Sequence, residues 1–199
     1  MKACAVTGHR PTRFKFKYKE DTAGCKRLKK RLRDQFVGLY EQGVHRFYVG
    51  GTLGVDMWAG EILLRLKEQP EYKDLELCIV LPCEGHDARW DDRSKKRMAF
   101  LRKHSTETVI VGKGLAAEDY RKRDEYMVDH TDVLVAVYDN DRAIRSGTGM
   151  TVSYAHKNKC LPVILIHPDT GAVTNLQIPG KAQGELTTGR PCHHEQVFG

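Results

Sequence analysis

The chain has 199 residues, 40% hydrophobic and 30% charged, which suits one domain with a real core and excludes a disordered chain. No apolar run reaches the length of a membrane span, and residues 1–6 run into a strand-like segment without the apolar region of a signal peptide. A cytoplasmic protein is therefore expected, with no membrane partner. Lys and Arg number 33 against 26 Asp and Glu, a formal net charge of +7, which suits a polyanion or a small phosphorylated ligand equally.

Residues 3–6 are the first predicted strand. The loop Thr7-Gly8-His9-Arg10-Pro11 follows, closed by the proline. Phe14 to Tyr18 alternates aromatic residues with lysine and predicts a brief extended segment. From about Asp21 the pattern is helical: Leu28, Leu32, Phe36 and Leu39 form an apolar stripe, and Gly43 stops the helix. Lys26, Lys29, Lys30 and Arg33 form a basic stripe on another face, read as a solvated surface with nucleic-acid contact as the sharper alternative. Residues 46–49 are a second strand, leading through Gly50-Gly51-Thr52-Leu53-Gly54 into a helix that ends near Glu68.

A third strand at 75–81 ends at Pro82 and the loop Cys83-Glu84-Gly85-His86. His86 reads as a solvent-exposed loop histidine, with a general base as the alternative. Trp90 reads as packing for the charged helix 90–103, with base stacking as the alternative. A strand at 107–111, a helix at 117–130, a strand at 132–138 and a polar loop at 139–145 come next. Ser146-Gly147-Thr148-Gly149 opens a further helix to about residue 157, followed by strands at 161–166 and 172–176. The chain beyond Pro179, rich in Gly, Thr and Gln, is expected to be mobile. The six cysteines, Cys4, Cys25, Cys78, Cys83, Cys160 and Cys192, show no C-x-x-C pair and read as reduced thiols. Cys192-His193-His194 has no fourth ligand at a sensible spacing, so no metal is expected.

Strands apolar on both faces, alternating with helices, predict an α/β fold: a Rossmann-like three-layer sandwich with a mostly parallel sheet. The domain is expected at 1–168, with a C-terminal strand and tail at 169–199. Ligands in such folds sit at the carboxyl ends of the strands. The turns carrying Gly8, Gly50 and Gly51, Gly85, and Gly147 and Gly149 all fall at those ends. Gly54 leads into a helix start, where unpaired N–H groups favour an anion. A tight turn that binds nothing is the plain alternative for any one of them; their convergence favours phosphate binding. On this reading Gly51→Val removes ligand binding and leaves the fold intact.

Three segments taken together resemble the SLOG superfamily (Smf/DprA and LOG proteins), and within it the YpsA-like branch. They are Ala5-Val6-Thr7-Gly8-His9-Arg10; Gly50-Gly51-Thr52-Leu53-Gly54-Val55-Asp56-Met57-Trp58-Ala59; and Arg123-Asp124-Glu125-Tyr126-Met127 with Thr131-Asp132 and Ser146-Gly147-Thr148. The resemblance covers residues 2–168 and implies a nucleotide-sized ligand at the strand ends. LOG enzymes cut the N-glycosidic bond of a nucleoside monophosphate, using an Arg followed by K-x-x-M and a P-G-G-x-G-T-x-x-E motif. Arg123 and Met127 match the first. The second departs, because Val152 and Ser153 stand where its Glu belongs. Cleavage needs a carboxylate, so binding is expected rather than turnover, unless Asp56, Glu61 or Glu84 substitutes.

The resemblance implies ligand contacts at Thr7, Gly8, His9, Arg10, Gly50, Gly51, Thr52, Gly54, Asp56, Arg123, Ser146, Gly147 and Thr148. Arg123 is expected to clamp a phosphate, and Asp56 to support the loop or meet a ribose hydroxyl. Arg123, Asp56 and Glu84 are the weak catalytic candidates. No resident cofactor is certain; a bound nucleotide or ADP-ribose-like molecule is the ligand expected. Weak binding of single-stranded nucleic acid, as in the DprA branch, and a homodimer are the other partners left open.

Overall fold

The structure, a computed structural model, describes residues 2–141 and 143–176. The expectations for residues 177–199, including Cys192-His193-His194, lie outside them. The strands are β1 (Lys2–Gly8), β2 (Val44–Val49), β3 (Glu76–Leu81), β4 (Glu107–Ile110), β5 (Val133–Val137), β6 (Val163–Ile166) and β7 (Val173–Leu176). The helices are α1 (Ala23–Glu41), α2 (Val55–Lys67), α3 (Asp92–His104), α4 (Ala117–Asp129) and α5 (Gly147–Ser153). Among the described residues the strands form one sheet in the order β4-β3-β2-β1-β5-β6-β7. All pairings are parallel except β6 with β7.

Alternation along each strand builds two cores, as the period of two in a strand dictates. Cys4, Val6, Phe47, Val49, Leu77, Ile79, Leu81, Val133, Val135 and Val137 face one layer, where α1, α2 and α3 pack. Ala3, Ala5, Tyr48, Cys78, Val80, Leu134 and Ala136 face the other, against Met127 and Val128 of α4 and Val152 of α5. Both faces of the sheet are thus covered, and no strand can slip by one residue without exchanging its two buried faces.

The chain runs outward from β1 in one direction to β4 and, from β5, in the other. The reversal therefore lies between β1 and β5, where a crevice opens at the carboxyl ends of the strands. Gly8, at the end of β1, lets α2 approach closely: a Cβ there would lie 2.5 Å from Val55 Cγ2.

Some local expectations change. Residues 14–18 form turns rather than an extended segment. Phe14 is buried, stacked on Phe16 and packed against Trp58, so these aromatics close the core instead of lining an extended edge. α1 starts at an N-cap in which Thr22 Oγ1 accepts from the Cys25 N–H at 3.3 Å. The helix after Ser146 passes into a π-helical turn at Tyr154–Asn158. Cys4, Cys25, Cys78 and Cys83 are free and buried. Cys160 is disulfide-bonded, contrary to the reduced-thiol reading; it is partly exposed, at φ 52°, rather than in the core. No described helix is long and apolar enough to cross a membrane.

Candidate functional site

A cleft of about 250 Å³ occupies the crevice. The β1 end contributes Thr7, Gly8, His9 and Arg10, and the following 3₁₀ turn Thr12 and Arg13. The β2–α2 turn contributes Thr52 and the first turn of α2 Asp56; α4 contributes Tyr120, Arg123 and Asp124; the start of α5 contributes Ser146, Gly147 and Thr148. Sequence segments far apart thus meet around one space. A larger cleft of about 840 Å³ adjoins it and shares Arg10, Tyr120, Asp124, Ser146 and Gly147 as a common wall. Its far side carries Met150, Tyr154 and Asn158.

The floor is a buried charge network. Arg123 Nη1 donates to the Gly50 carbonyl at 2.7 Å, and Nε and Nη2 donate to Asp124 Oδ1 at 2.9 and 2.6 Å. Asp56 Oδ2 lies 3.7 Å from Nη1. The same Asp56 oxygen accepts from the Thr52 hydroxyl at 2.6 Å and the Thr52 N–H at 3.2 Å. Thr151 Oγ1 donates to Asp124 Oδ2 at 3.0 Å, tying α5 to α4. Burial raises the Asp56 carboxyl above the usual carboxylate value, and Arg123 and Thr52 oppose that shift. Burial also pulls Arg123 down, but Asp124 and Asp56 outweigh it and hold the guanidinium above its usual range.

This network reassigns several candidates. Arg123 is committed to protein partners on both edges of its fork, so it positions the β2–α2 turn and lines the cleft wall. Asp56 occupies the first turn of α2, where a bound anion was expected to meet the helix start. Gly50 and Gly51 stand behind the cleft: a Cβ on Gly50 would meet the Arg123 guanidinium at 2.6 Å, and one on Gly51 would meet Leu81 Cδ2 at 2.6 Å. Gly54, at φ 95°, lets its loop approach the His9 carbonyl, 2.7 Å from where a Cβ would sit. Gly147 differs, since a Cβ there meets nothing within 4 Å. Glu84 lies outside the cleft, 67% exposed and 3.4 Å from Arg102. Glu61 is held by Arg97 on the α2–α3 face.

His86 is buried rather than exposed, and its Nε2 lies 2.9 Å from the Gly51 carbonyl, to which it must donate. It therefore pins the β2–α2 turn from the side away from the cleft. Trp90 packs edge-on against it, in line with the packing reading. Cleft residues that sequence reasoning missed are Thr12, Arg13, Tyr120 and Asp124. Tyr120 stands between Arg10 and Arg123, each guanidinium carbon just over 5 Å from the ring centre, at 5.1 and 5.4 Å. Its helical spacing to Arg123 and Asp124 was the available signal. Among the described residues no group of three or more His, Cys, Asp or Glu is placed to hold a metal.

A doubly covered, mostly parallel sheet with a polar cleft at its reversal point is a Rossmann-like α/β architecture. The YpsA family model, described as the YspA SLOG family, matches residues 4–170; the chain belongs to that family. Among curated relatives, a UPF0398 protein of Staphylococcus epidermidis is 25% identical over 144 residues, 71% of this chain and 75% of the relative. One from Bacillus thuringiensis is 28% identical over 144 residues, 71% of this chain and 77% of the relative. Among solved structures, the X-ray structure of TM1055 aligns with a TM-score of 0.53 at 18% identity, covering 86% of this chain and 77% of that one. DNA processing protein A from Helicobacter pylori, a protein with a single-stranded DNA binding mode, aligns with a TM-score of 0.54 at 15% identity. That alignment covers 82% of this chain and 64% of the other. At these identities the two structures bear on the fold alone.

Proposed function

We propose that the chain binds a nucleotide or nucleotide derivative of ADP-ribose type in the cleft at the β1–β5 reversal, in a sensing or regulatory role. The observation that carries this is the cleft's composition. The Ser146 and Thr148 hydroxyls, the open backbone at Gly147, and the Arg10 and Arg13 guanidiniums converge on one space. The adjoining larger cleft supplies room for a second moiety beside Tyr120, Met150 and Tyr154. Binding is favoured over glycosidic cleavage because Asp56 and Asp124 are engaged by Thr52, Arg123 and Thr151, and Glu84 is remote.

Thermal denaturation with added ADP-ribose tests the reading. Ligand at a hundred times its Kd stabilises by about 2.7 kcal/mol, roughly 5–10 °C for a domain of this size. The shift is expected in the native chain and greatly reduced in the double variant Arg10→Ala, Arg13→Ala. No shift at millimolar ligand removes the proposal. Nucleoside monophosphates are expected to release free base far below about one turnover per second; a rate at that level favours the hydrolase alternative.

A second reading is supported by a separate surface. Arg93, Lys96, Phe100 and Lys103 recur along one exposed face of α3, the three cations in no ion pair among the described residues, and Phe100 is 53% exposed. Such a face fits single-stranded nucleic acid, with cations for phosphates and an aromatic ring for a base. Fluorescence anisotropy with a labelled oligothymidine is expected to show weak binding that falls steeply with salt. Salt-resistant binding, or no loss in Lys96→Glu, would contradict this assignment.

A further inference from the structure

His9 is the buried polar side chain of the cleft whose placement packing does not explain. It is 4% exposed yet lines the cleft. Its ring is held edge-on by Tyr138 and Phe14, with centroids 5.6 and 6.3 Å away. Its Nδ1 lies 3.5 Å from Thr148 Oγ1, at the outer limit of a hydrogen bond. Its Nε2 is buried and has no hydrogen-bond partner; the nearest carboxylate oxygen, Asp139 Oδ1, is 3.9 Å away. A ring needed only to fill the space between Phe14 and Tyr138 would be apolar, because an unsatisfied buried nitrogen destabilises the fold.

We propose that His9 is the proton-linked contact for the ligand's anionic oxygen: neutral in the empty cleft, it gains a proton from solvent as the anion enters and donates from Nε2. This rests on the nucleotide-binding reading above. The charged groups around the ring act in both directions. Arg13 and Arg10, from the turn after β1, oppose a second positive charge, as does Arg123 of α4. Asp139, from the loop after β5, favours it. Asp56 of α2 and Asp124 of α4 share the cleft but are committed to Arg123, and Thr148 of α5 is neutral. Burial, the largest influence, keeps the empty-state histidine below its usual value, with Asp139 opposing and Arg13 assisting. A ligand anion beside Nε2 works in the opposite direction.

The sign follows from linkage. Protonation that is stronger in the bound state means affinity rises as pH falls from the bound-state value to the free-state value, at most about tenfold per pH unit for one proton. Above that window affinity is low and flat. The site would thus discriminate in favour of ligands with an anionic oxygen at the His9 position, and respond to cytosolic or local acidification.

Calorimetry with ADP-ribose near neutral pH, in two buffers of different ionisation heat, reads the proton directly. Its pyrophosphate diester does not titrate there, so any uptake belongs to the protein. The native chain is expected to take up a substantial fraction of one proton per ligand. His9→Gln, which keeps an N–H donor near the Nε2 position, is expected to bind about tenfold more weakly, without uptake and without pH dependence. Nitrogen NMR of the His9 ring in the native chain, moving from neutral to protonated on adding ADP-ribose, makes the same measurement without a variant. Binding with no proton uptake, or uptake that survives in His9→Gln, overturns this inference and leaves the binding reading standing. Absence of ADP-ribose binding overturns both.

Discussion

Arg123→Met is expected to destabilise the protein by about 3–5 kcal/mol, the usual cost of stripping one partner from a buried ion pair. The loss has three sources. Asp56 keeps only its Thr52 bonds, Asp124 loses both bonds to its Oδ1, and the Gly50 carbonyl loses its donor. The sign of the pH dependence follows from Asp56. Its folded-state value is already raised by burial, with Arg123 opposing; without Arg123 it rises further. A carboxyl raised in the folded state favours folding when protonated, so the deficit is largest near neutral pH and shrinks as pH falls toward the Asp56 value. Urea denaturation of the variant at neutral and mildly acidic pH measures this. Adding Asp56→Asn should restore part of the loss at neutral pH, because the unpaired charge is then gone. A variant as stable as the native chain at neutral pH would show that the network contributes little.

Gly51→Val is expected to cost roughly 2–5 kcal/mol, combining the left-handed backbone penalty with overpacking. Gly51 has φ 64°, and a Cβ would meet Leu81 at 2.6 Å and Ile79 and Met98 at 3.3 Å. The valine therefore attacks the core beneath β3 before it touches any ligand, which reverses the sequence-based expectation of an intact fold with lost binding. Gly147→Ala is the contrast: with open space at its Cβ position and a helix-starting backbone, it is expected to leave stability within about 1 kcal/mol. Chemical denaturation of the two variants side by side checks the difference. Equal stabilities would mean that Gly51 is not constrained as described.

The two glycines illustrate what the sequence makes legible. A glycine in a strand-to-helix turn often marks a place where a Cβ cannot be tolerated, which holds at Gly50, Gly51 and Gly54 but not at Gly147. Which atoms fill the vacant space depends on elements far away in the chain: the Arg123 guanidinium over Gly50, Leu81 over Gly51, nothing over Gly147. Likewise the strands were legible because both faces of β1, β2, β3 and β5 are apolar, a pattern few other structures impose. The aromatic run Phe14 to Tyr18 was misread because alternation cannot distinguish a strand from turns that tuck Phe14 under Trp58. Asp124 was missed as a site residue because a charge on an otherwise charged helix looks like solvent-facing surface. His86 looked exposed for the same reason, since its partner is a backbone carbonyl that no side-chain pattern reveals.

On the proposed function, one ligand is expected to occupy the crevice between the β1 end and the start of α5. Amide chemical-shift mapping on isotope-labelled protein titrated with ADP-ribose tests it most directly. Saturable perturbations are expected, centred on Thr7, His9, Arg10, Arg13, Ser146, Gly147 and Thr148 and extending through Tyr120 toward Met150 and Tyr154 in the adjoining cleft. Perturbations confined to the α3 face around Arg93, Lys96 and Phe100, or none at saturating ligand, would contradict it.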